Sequence, residues 1–364
     1  MIEFIPIEYY TTVYLNIMLL FTLVIFLRAY QFKLADSVNL KSHSFYEVFL
    51  LVFVTLYMGF RPVSYEFGDM GTYAKLYDDF QNYGFMETQG DPLFYFLMKS
   101  CSKIFPVEVF FLICAALYII PLYYASKKLF GEYSFYAFFM LIASLSFWAY
   151  GTNGIRNGLA TSFFLLAITR NSRAVKIALF VLALGVHQSM LIPLVMYIFT
   201  SFYKNTKYIF LFWLLCIPLS LILGKQLESF FLSLGFGDAD KIQGYFVEDE
   251  EILEEFSAIG FRWDFLLYSI SGVFTGLYFI FKKEFEDEFY RHIINLYLMT
   301  NAFWILVIRA NFSNRFAYLS WFLLGVVIIY PFLKRMFFKE QHQIIGKIIL
   351  AYFLFTYVLM IFTA

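Results

Sequence analysis

Apolar residues gather in long runs along this chain, not in the alternation of a half-buried strand or the single stripe of a soluble helix. Such runs occupy residues 9–27, 45–60, 106–125, 133–150, 157–169, 208–224, 263–281, 292–308, 316–333 and 344–362. Most approach the roughly 20 residues that a helix needs to cross a bilayer core, so they predict membrane-spanning helices. An eleventh run, residues 174–203, carries Val186-His187-Gln188-Ser189 at its centre. Read whole it is one long span, and read as broken at His187 it is two short segments that cross or re-enter as a hairpin. Residues 92–104, opened by Asp91-Pro92, are too short to span and predict a helix at or dipping into the interface, with Pro92 tolerated in its first turn. The loops 61–91 and 225–261 lack strand alternation and repeats, and predict short amphipathic helices joined by turns.

Loop charge decides how the runs thread, because Lys and Arg accumulate in short cytoplasmic loops. Arg28, Lys33 and Lys41, then Lys127 and Lys128, Arg170, Arg173 and Lys176, Lys282, Lys283 and Arg291, and Lys334, Arg335, Lys339 and Lys347 mark one side. Keeping Lys204 and Lys207 with them requires the hairpin over 174–203. The division is then 17 of the 27 basic residues inside, and 8 acids inside against 19 outside. The expected fold is all-α, a single polytopic transmembrane bundle over residues 1–364 with about twelve membrane segments, both termini outside and the two large loops over its outer mouth. Met1 to Glu8 is acidic and the run after it is a full span, so no cleavable leader is expected.

Composition removes the soluble alternative. Of 364 residues 61% are apolar, 23% aromatic and 15% charged, where a soluble domain carries about 25% charged residues. Equal totals of 27 basic and 27 acidic residues leave no basic footprint for nucleic acid. Cys101, Cys114 and Cys216 are too scattered for a disulfide framework or a metal cluster and read as packing residues. No second His or Cys stands at ligand spacing from His187, so no metal site is expected.

Candidate chemistry lies in arginines on the acidic side. Arg61, Arg156, Arg262, Arg309 and Arg315 each sit where an apolar run meets an outer loop. A guanidinium at the membrane edge is costly without an anionic partner, and Arg suits two-point recognition of phosphate. Headgroup anchoring or pairing with the outer acids is the plain reading; a convergent pocket for a lipid phosphate or diphosphate is the sharper one. His187, with Gln188 and Ser189 beside it, fits a polar break that lines a wet cavity. Asp69, within Gly68-Asp69-Met70-Gly71-Thr72-Tyr73, is a second candidate base. Asp264 is placed to orient Arg262, and Glu248-Asp249-Glu250-Glu251 reads as a solvated face.

Taken in order, these segments resemble the EpsG family of Wzy-type bacterial polysaccharide polymerases. The match is carried by Asp69 with Tyr73, by Asp91-Pro92-Leu93-Phe94, by Ile155-Arg156-Asn157-Gly158-Leu159-Ala160, by Gly185-Val186-His187-Gln188-Ser189, and by Asn314-Arg315-Phe316-Ala317-Tyr318, with Arg262-Trp263-Asp264 as a further element. The family more often has Glu where Asp91 stands and Gln where Asn157 stands. The resemblance implies an inner-membrane glycosyltransferase with a GT-C-like fold, joining undecaprenyl-diphosphate-linked oligosaccharides at the outer face without cofactor or metal. It implies Asp69 or His187 as base with Arg156 as a further catalytic group. Arg156, Arg262, Arg309 and Arg315 would hold the diphosphate. Arg61, Tyr73, Asp91, Asn157, Gln188, Ser189 and Asp264 would bind substrate. A chain-length regulator and a flippase are the implied protein partners. A transporter of the lipid-linked sugar, with a broken helix and polar cavity of its own, and a membrane acyltransferase are the competing classes.

Overall fold

The computed structural model describes residues 5–84, 90–233, 260–309 and 313–362, and every regular element among them is helical. In chain order the α-helices are α1 (Tyr10–Gln31), α2 (Ser37–Gly59), α3 (Met70–Tyr83), α4 (Pro92–Ser102), α5 (Val107–Phe130), α6 (Ser134–Ile142), α7 (Leu145–Thr152) and α8 (Ile155–Ile168). They continue as α9 (Arg173–Val186), α10 (Leu191–Phe202), α11 (Thr206–Ser233), α12 (Trp263–Leu277), α13 (Glu288–Leu306), α14 (Ser313–Trp321), α15 (Leu324–Lys334) and α16 (Gln341–Phe362). Seven helical stretches among the described residues are long and apolar enough to cross a membrane, and the helices over Ile155–Ile168 and Gln188–Phe202 are apolar but shorter. The protein is therefore an all-α, polytopic membrane protein. The sequence pattern predicts about twelve segments; one of the seven stretches joins α5 to α6 and another covers both α14 and α15, while α8, α9 and α10 are apolar or part-apolar helices too short to cross a bilayer core alone.

Two runs predicted as single helices are interrupted. Residues 133–150 break at Ala143–Ser144, where Ser144 is extended (φ −73°, ψ 151°). The Tyr14 hydroxyl donates to the Ile142 carbonyl at 2.8 Å, supplying a partner for a backbone group that the break leaves open. All nine residues of α6 are buried, so this run is apolar because it is core. Residues 316–333 are likewise interrupted at Phe322–Leu323, between α14 and α15. The run 174–203 is broken at His187, whose backbone is extended (φ −155°, ψ 121°). The loop 61–91 holds the predicted short helix as α3. Most of the loop 225–261, including the acidic run at 248–251, lies outside the described residues.

By their internal contacts the residues form two compact units, Met1–Met190 with Phe332–Ala364, and Leu191–Pro331. In the first, α1 packs on α16, and α2, α5, α8 and α9 pack in succession. In the second, α13 is the centre, flanked by α10, α11, α12 and α14. Asn301 on α13 explains why that helix is polar yet buried. Its Oδ1 accepts from the Trp213 indole at 2.8 Å, while its Nδ2 donates to the Ser269 and Ser320 hydroxyls at 3.1 and 3.0 Å. One fully buried side chain thus ties α11, α12 and α14 to α13. Asn301→Leu should strand the Trp213 indole N–H, at a cost of about 1–3 kcal/mol, and lower the thermal unfolding midpoint in detergent. An unchanged midpoint would mean that the network is not a stabilising element.

Candidate functional site

Asp91 is the hub of the candidate site. It precedes Pro92 at the start of α4 in the left-handed conformation (φ 45°, ψ 51°), which few residues other than Gly, Asn and Asp adopt. Its side chain makes no cap to its own helix. Instead, Oδ2 accepts from Arg156 Nη1 at 2.6 Å and from His187 Nδ1 at 2.8 Å, and Oδ1 accepts from the Gln188 backbone N–H at 2.9 Å. The carboxylate is 4% exposed. Burial alone would raise its pKa, but the His187 hydrogen bond, the charges of His187 and Arg156 and the Gln188 N–H together hold it below its ordinary 3.8.

A depressed carboxyl contributes stability that is fully present above its unfolded value and is lost as pH falls through the lower folded value. Acidification from pH 7 to 5 should therefore leave the Asp91 contacts intact, and their loss should begin only below about pH 4. Asp91→Asn removes this acid-side component, which a comparison of unfolding midpoints across pH would read.

The partners of Asp91 come from two segments, the start of α8 and the break after α9, and local sequence explains how each arrives. Arg156 lies in the first turn of α8, just after the Asn153-Gly154 turn, and its Nε donates to the Tyr73 hydroxyl on α3 at 3.0 Å. Nη2 of Arg156 makes no hydrogen bond among the described residues. His187 is the extended residue that ends α9. A carboxylate only accepts, so Nδ1 carries a proton toward Asp91, and whenever the ring is uncharged its Nε2 is the bare nitrogen. That Nε2 makes no hydrogen bond among the described residues. Beside it the Ser189 hydroxyl donates to Asn157 Oδ1 at 3.0 Å, and Gln188 is exposed.

Close packing of α4 on α9 holds this geometry. A Cβ at Gly185 would run into the Leu93 side chain. Gly185→Val should overpack the contact at a cost of about 1–3 kcal/mol, move Asp91 away from His187 and reduce activity; retention of both stability and activity would show that the close approach is not needed.

Asp69 sits half-buried immediately before α3, within electrostatic reach of Tyr73. Its backbone N–H donates to Asn153 Oδ1 at 3.0 Å. Gly68 (φ 62°) packs so closely on the Asn153 side chain that a Cβ would come within 2.5 Å of it. Asn153 thus buttons the Asp69 loop onto the turn that presents Arg156, and it is a site residue that the apolar runs and edge charges do not single out. The signal for it is the Asn-Gly pair three residues ahead of the arginine.

The five outer arginines do not share one environment. Arg61 is 2% exposed, donates to the Met58 and Thr152 carbonyls at the ends of α2 and α7, and lies over the Phe67 and Phe111 rings. Burial lowers its pKa to about 10, so it stays charged at neutral pH. These contacts are those of a helix-end cap, where the negative ends of two helix dipoles favour a cation, and they turn it into the protein. In the second unit Arg262 forms a two-point pair with Asp264, at 3.0 Å from Nε to Oδ1 and 2.6 Å from Nη2 to Oδ2, with its guanidinium 3.5 Å from the Phe265 ring centre. Arg309 packs its side chain against Gly224, and its Nε is buried without a hydrogen bond among the described residues. Arg315 lies near Tyr318, as Arg262 does. The first unit therefore brings together Asp69, Tyr73, Asp91, Arg156, Asn157, His187, Gln188 and Ser189, while Arg262, Asp264, Arg309 and Arg315 belong to the second. The three cysteines are free and buried, and no group of three or more His, Cys, Asp or Glu suited to a metal ion occurs among the described residues.

The residues that meet around Asp91 are drawn from the segments on which the resemblance rests. The EpsG family profile matches residues 44–364, nearly nine-tenths of the chain. The chain belongs to the EpsG family. No curated protein and no solved structure matches it significantly. Membership supports a general polysaccharide-polymerase role for this EpsG-family membrane protein, and the matched region contains every residue of the Asp91 constellation.

Proposed function

We propose that this EpsG-family chain is a polysaccharide polymerase that joins undecaprenyl-diphosphate-linked oligosaccharide units at the outer face of the inner membrane and releases undecaprenyl diphosphate. Family membership supports the polymerase role, and one observation carries the mechanism: a buried carboxylate that grips a histidine and an arginine through the same oxygen. In this reading a hydroxyl of the acceptor sugar forms the new bond to the donor's anomeric carbon. The bond from that carbon to the diphosphate oxygen breaks, and the electron pair leaves with undecaprenyl diphosphate. His187 Nε2 takes the hydroxyl proton, because Asp91 fixes the ring with its bare nitrogen outward, the arrangement that suits a general base. Arg156 offers its open Nη2 to the charge that develops on the leaving diphosphate. Asp69, Asn157, Gln188 and Ser189 line the side from which sugar hydroxyls approach. Within the second unit Arg262 is positioned by Asp264.

The deciding experiment supplies the purified protein with a single lipid-linked repeat unit. A ladder of longer glycans with one undecaprenyl diphosphate released per bond formed supports the reading. Movement of intact units across a reconstituted bilayer with no ladder would replace it with transport.

A further inference from the structure

A second polar cluster lies at the other end of α2 from the Asp91 site and takes no part in the proposed reaction. His43, Asn39 and Glu47 on α2 are 2%, 0% and 1% exposed. His43 stands six residues into the helix, about 9 Å along its axis. The Tyr136 hydroxyl on α6 meets His342 Nε2 on α16 at 2.5 Å, His43 Nε2 at 3.3 Å and Asn39 Nδ2 at 3.4 Å. Glu47 Oε2 accepts from the Ser134 hydroxyl at 2.9 Å and pairs with Lys127 at 2.7 Å. Arg28, near the end of α1, lies over the Phe32 and Tyr46 rings and interacts electrostatically with His43 and His342.

His342 Nδ1 faces the Phe32 carbonyl at 2.6 Å, and a carbonyl only accepts, so Nδ1 holds the proton and Nε2 of the neutral ring is an acceptor. Tyr136 must then donate its one proton to His342. With that proton committed, His43 Nε2 must donate to the Tyr136 oxygen, and His43 Nδ1 is left as a bare acceptor. Among the described residues His43 Nδ1, Asn39 Oδ1 and Glu47 Oε1 meet no donor, while Arg28 Nε and Nη2 meet no acceptor, and all five atoms are buried. His43 and Glu47 are one turn apart on the same face of α2, and both bond to the first residues of α6.

The unmet set is three acceptors and two donor groups, which restricts the ligand. An anion could accept from Arg28 but could not donate to three acceptors. A metal ion could satisfy the acceptors but would face a guanidinium. A neutral hydroxylic molecule both donates and accepts, and water is the one small enough to enter a packed interior. We infer that α1, α2, α6 and α16 enclose an internal hydration site within the membrane-spanning region, in which water donates to His43 Nδ1 and links it to Arg28, Asn39 and Glu47. The site makes His43, which accepts from water at Nδ1, the first member of a one-way chain of donation running from His43 through Tyr136 to His342.

The chain contains four histidines, His43, His187, His292 and His342, so 15N-histidine labelling of the whole protein in lipid vesicles followed by magic-angle-spinning NMR resolves them, with single substitutions giving the assignments. At neutral pH the unsubstituted protein should show His43 with a protonated Nε2 and bare Nδ1, His342 with the reverse tautomer, and magnetisation transfer from water to the His43 ring. His43→Phe keeps a ring for stacking on Phe135 and should lose that water transfer while the other three histidines keep their signals. A protonated Nδ1 on His43, a bare Nδ1 without transfer from water, or a direct correlation between His43 Nδ1 and the Arg28 guanidinium would each overturn the inference. Because the decisive readings come from the unsubstituted protein, a variant that fails to fold does not obscure them.

Discussion

His187→Ala should abolish glycan elongation while single lipid-linked units remain bound and delivered. Positioned general bases contribute about 10²–10⁴-fold, so the loss should fall in that range and appear in kcat, since the ring contacts sugar only through the proton it removes. Asp91→Asn should produce a loss of the same order without touching substrate. An amide in place of the carboxylate can turn its N–H₂ toward His187 Nδ1, which then becomes the bare nitrogen and leaves the proton on Nε2. The double variant should be little worse than either single one, because residues that act as a unit do not add. Elongation ladders that persist in both single variants would remove the pair from the mechanism. A full-strength ladder in Asp91→Asn alone would remove the orienting role of the carboxylate.

Arg156→Ala carries the second large expected effect. Removing one charged donor from a developing anion costs about 3 kcal/mol, or 10²–10³-fold in kcat. A second effect runs through the fold, because Asp91 is left buried with one cation fewer, and breaking a buried pair from one side can cost about 3–5 kcal/mol. The two effects separate experimentally, since the first appears as lost turnover in folded protein and the second as a lower unfolding midpoint. Arg156→Lys should not restore activity. One ammonium cannot reach both the Tyr73 hydroxyl, met through Nε, and Asp91, met through Nη1. A fully active lysine variant would show that charge alone suffices.

What could be read in the sequence depended on whether the physics was local. The break at His187 was legible because a polar triplet in the middle of an apolar run is costly in lipid unless the helix opens there into protein or water, and the loop charges required the same break. Arg156, Tyr73 and Asp91 stood out as polar residues at the edges of apolar runs. Their mutual arrangement was not legible. Asp91 reads as a sugar contact, and that two other segments close upon it is not visible in the sequence, because this depends on a left-handed backbone and on partners at 156 and 187–188. Arg61 reads as an edge arginine on the acceptor side, and its bonds to the Met58 and Thr152 carbonyls were not legible, because carbonyls are present at every residue and leave no mark in a sequence. The division of 133–150 was hidden for a related reason. Hydropathy scores α6 as it would a lipid-facing helix, although its neighbours are protein, and the tyrosine that accommodates the break lies far away on α1.

The single oxygen that Asp91 lends to both Arg156 and His187 makes its two donors competitors. Electron density drawn by one is withheld from the other. When an anion engages Arg156 and loosens its hold on Oδ2, that oxygen can bond more strongly to the His187 proton and raise the basicity of the opposite ring nitrogen, with no backbone movement required. Occupancy of the leaving-group side would then be felt on the attacking side, favouring an ordered reaction in which the donor is in place before the acceptor hydroxyl is activated and discouraging loss of the activated chain to water.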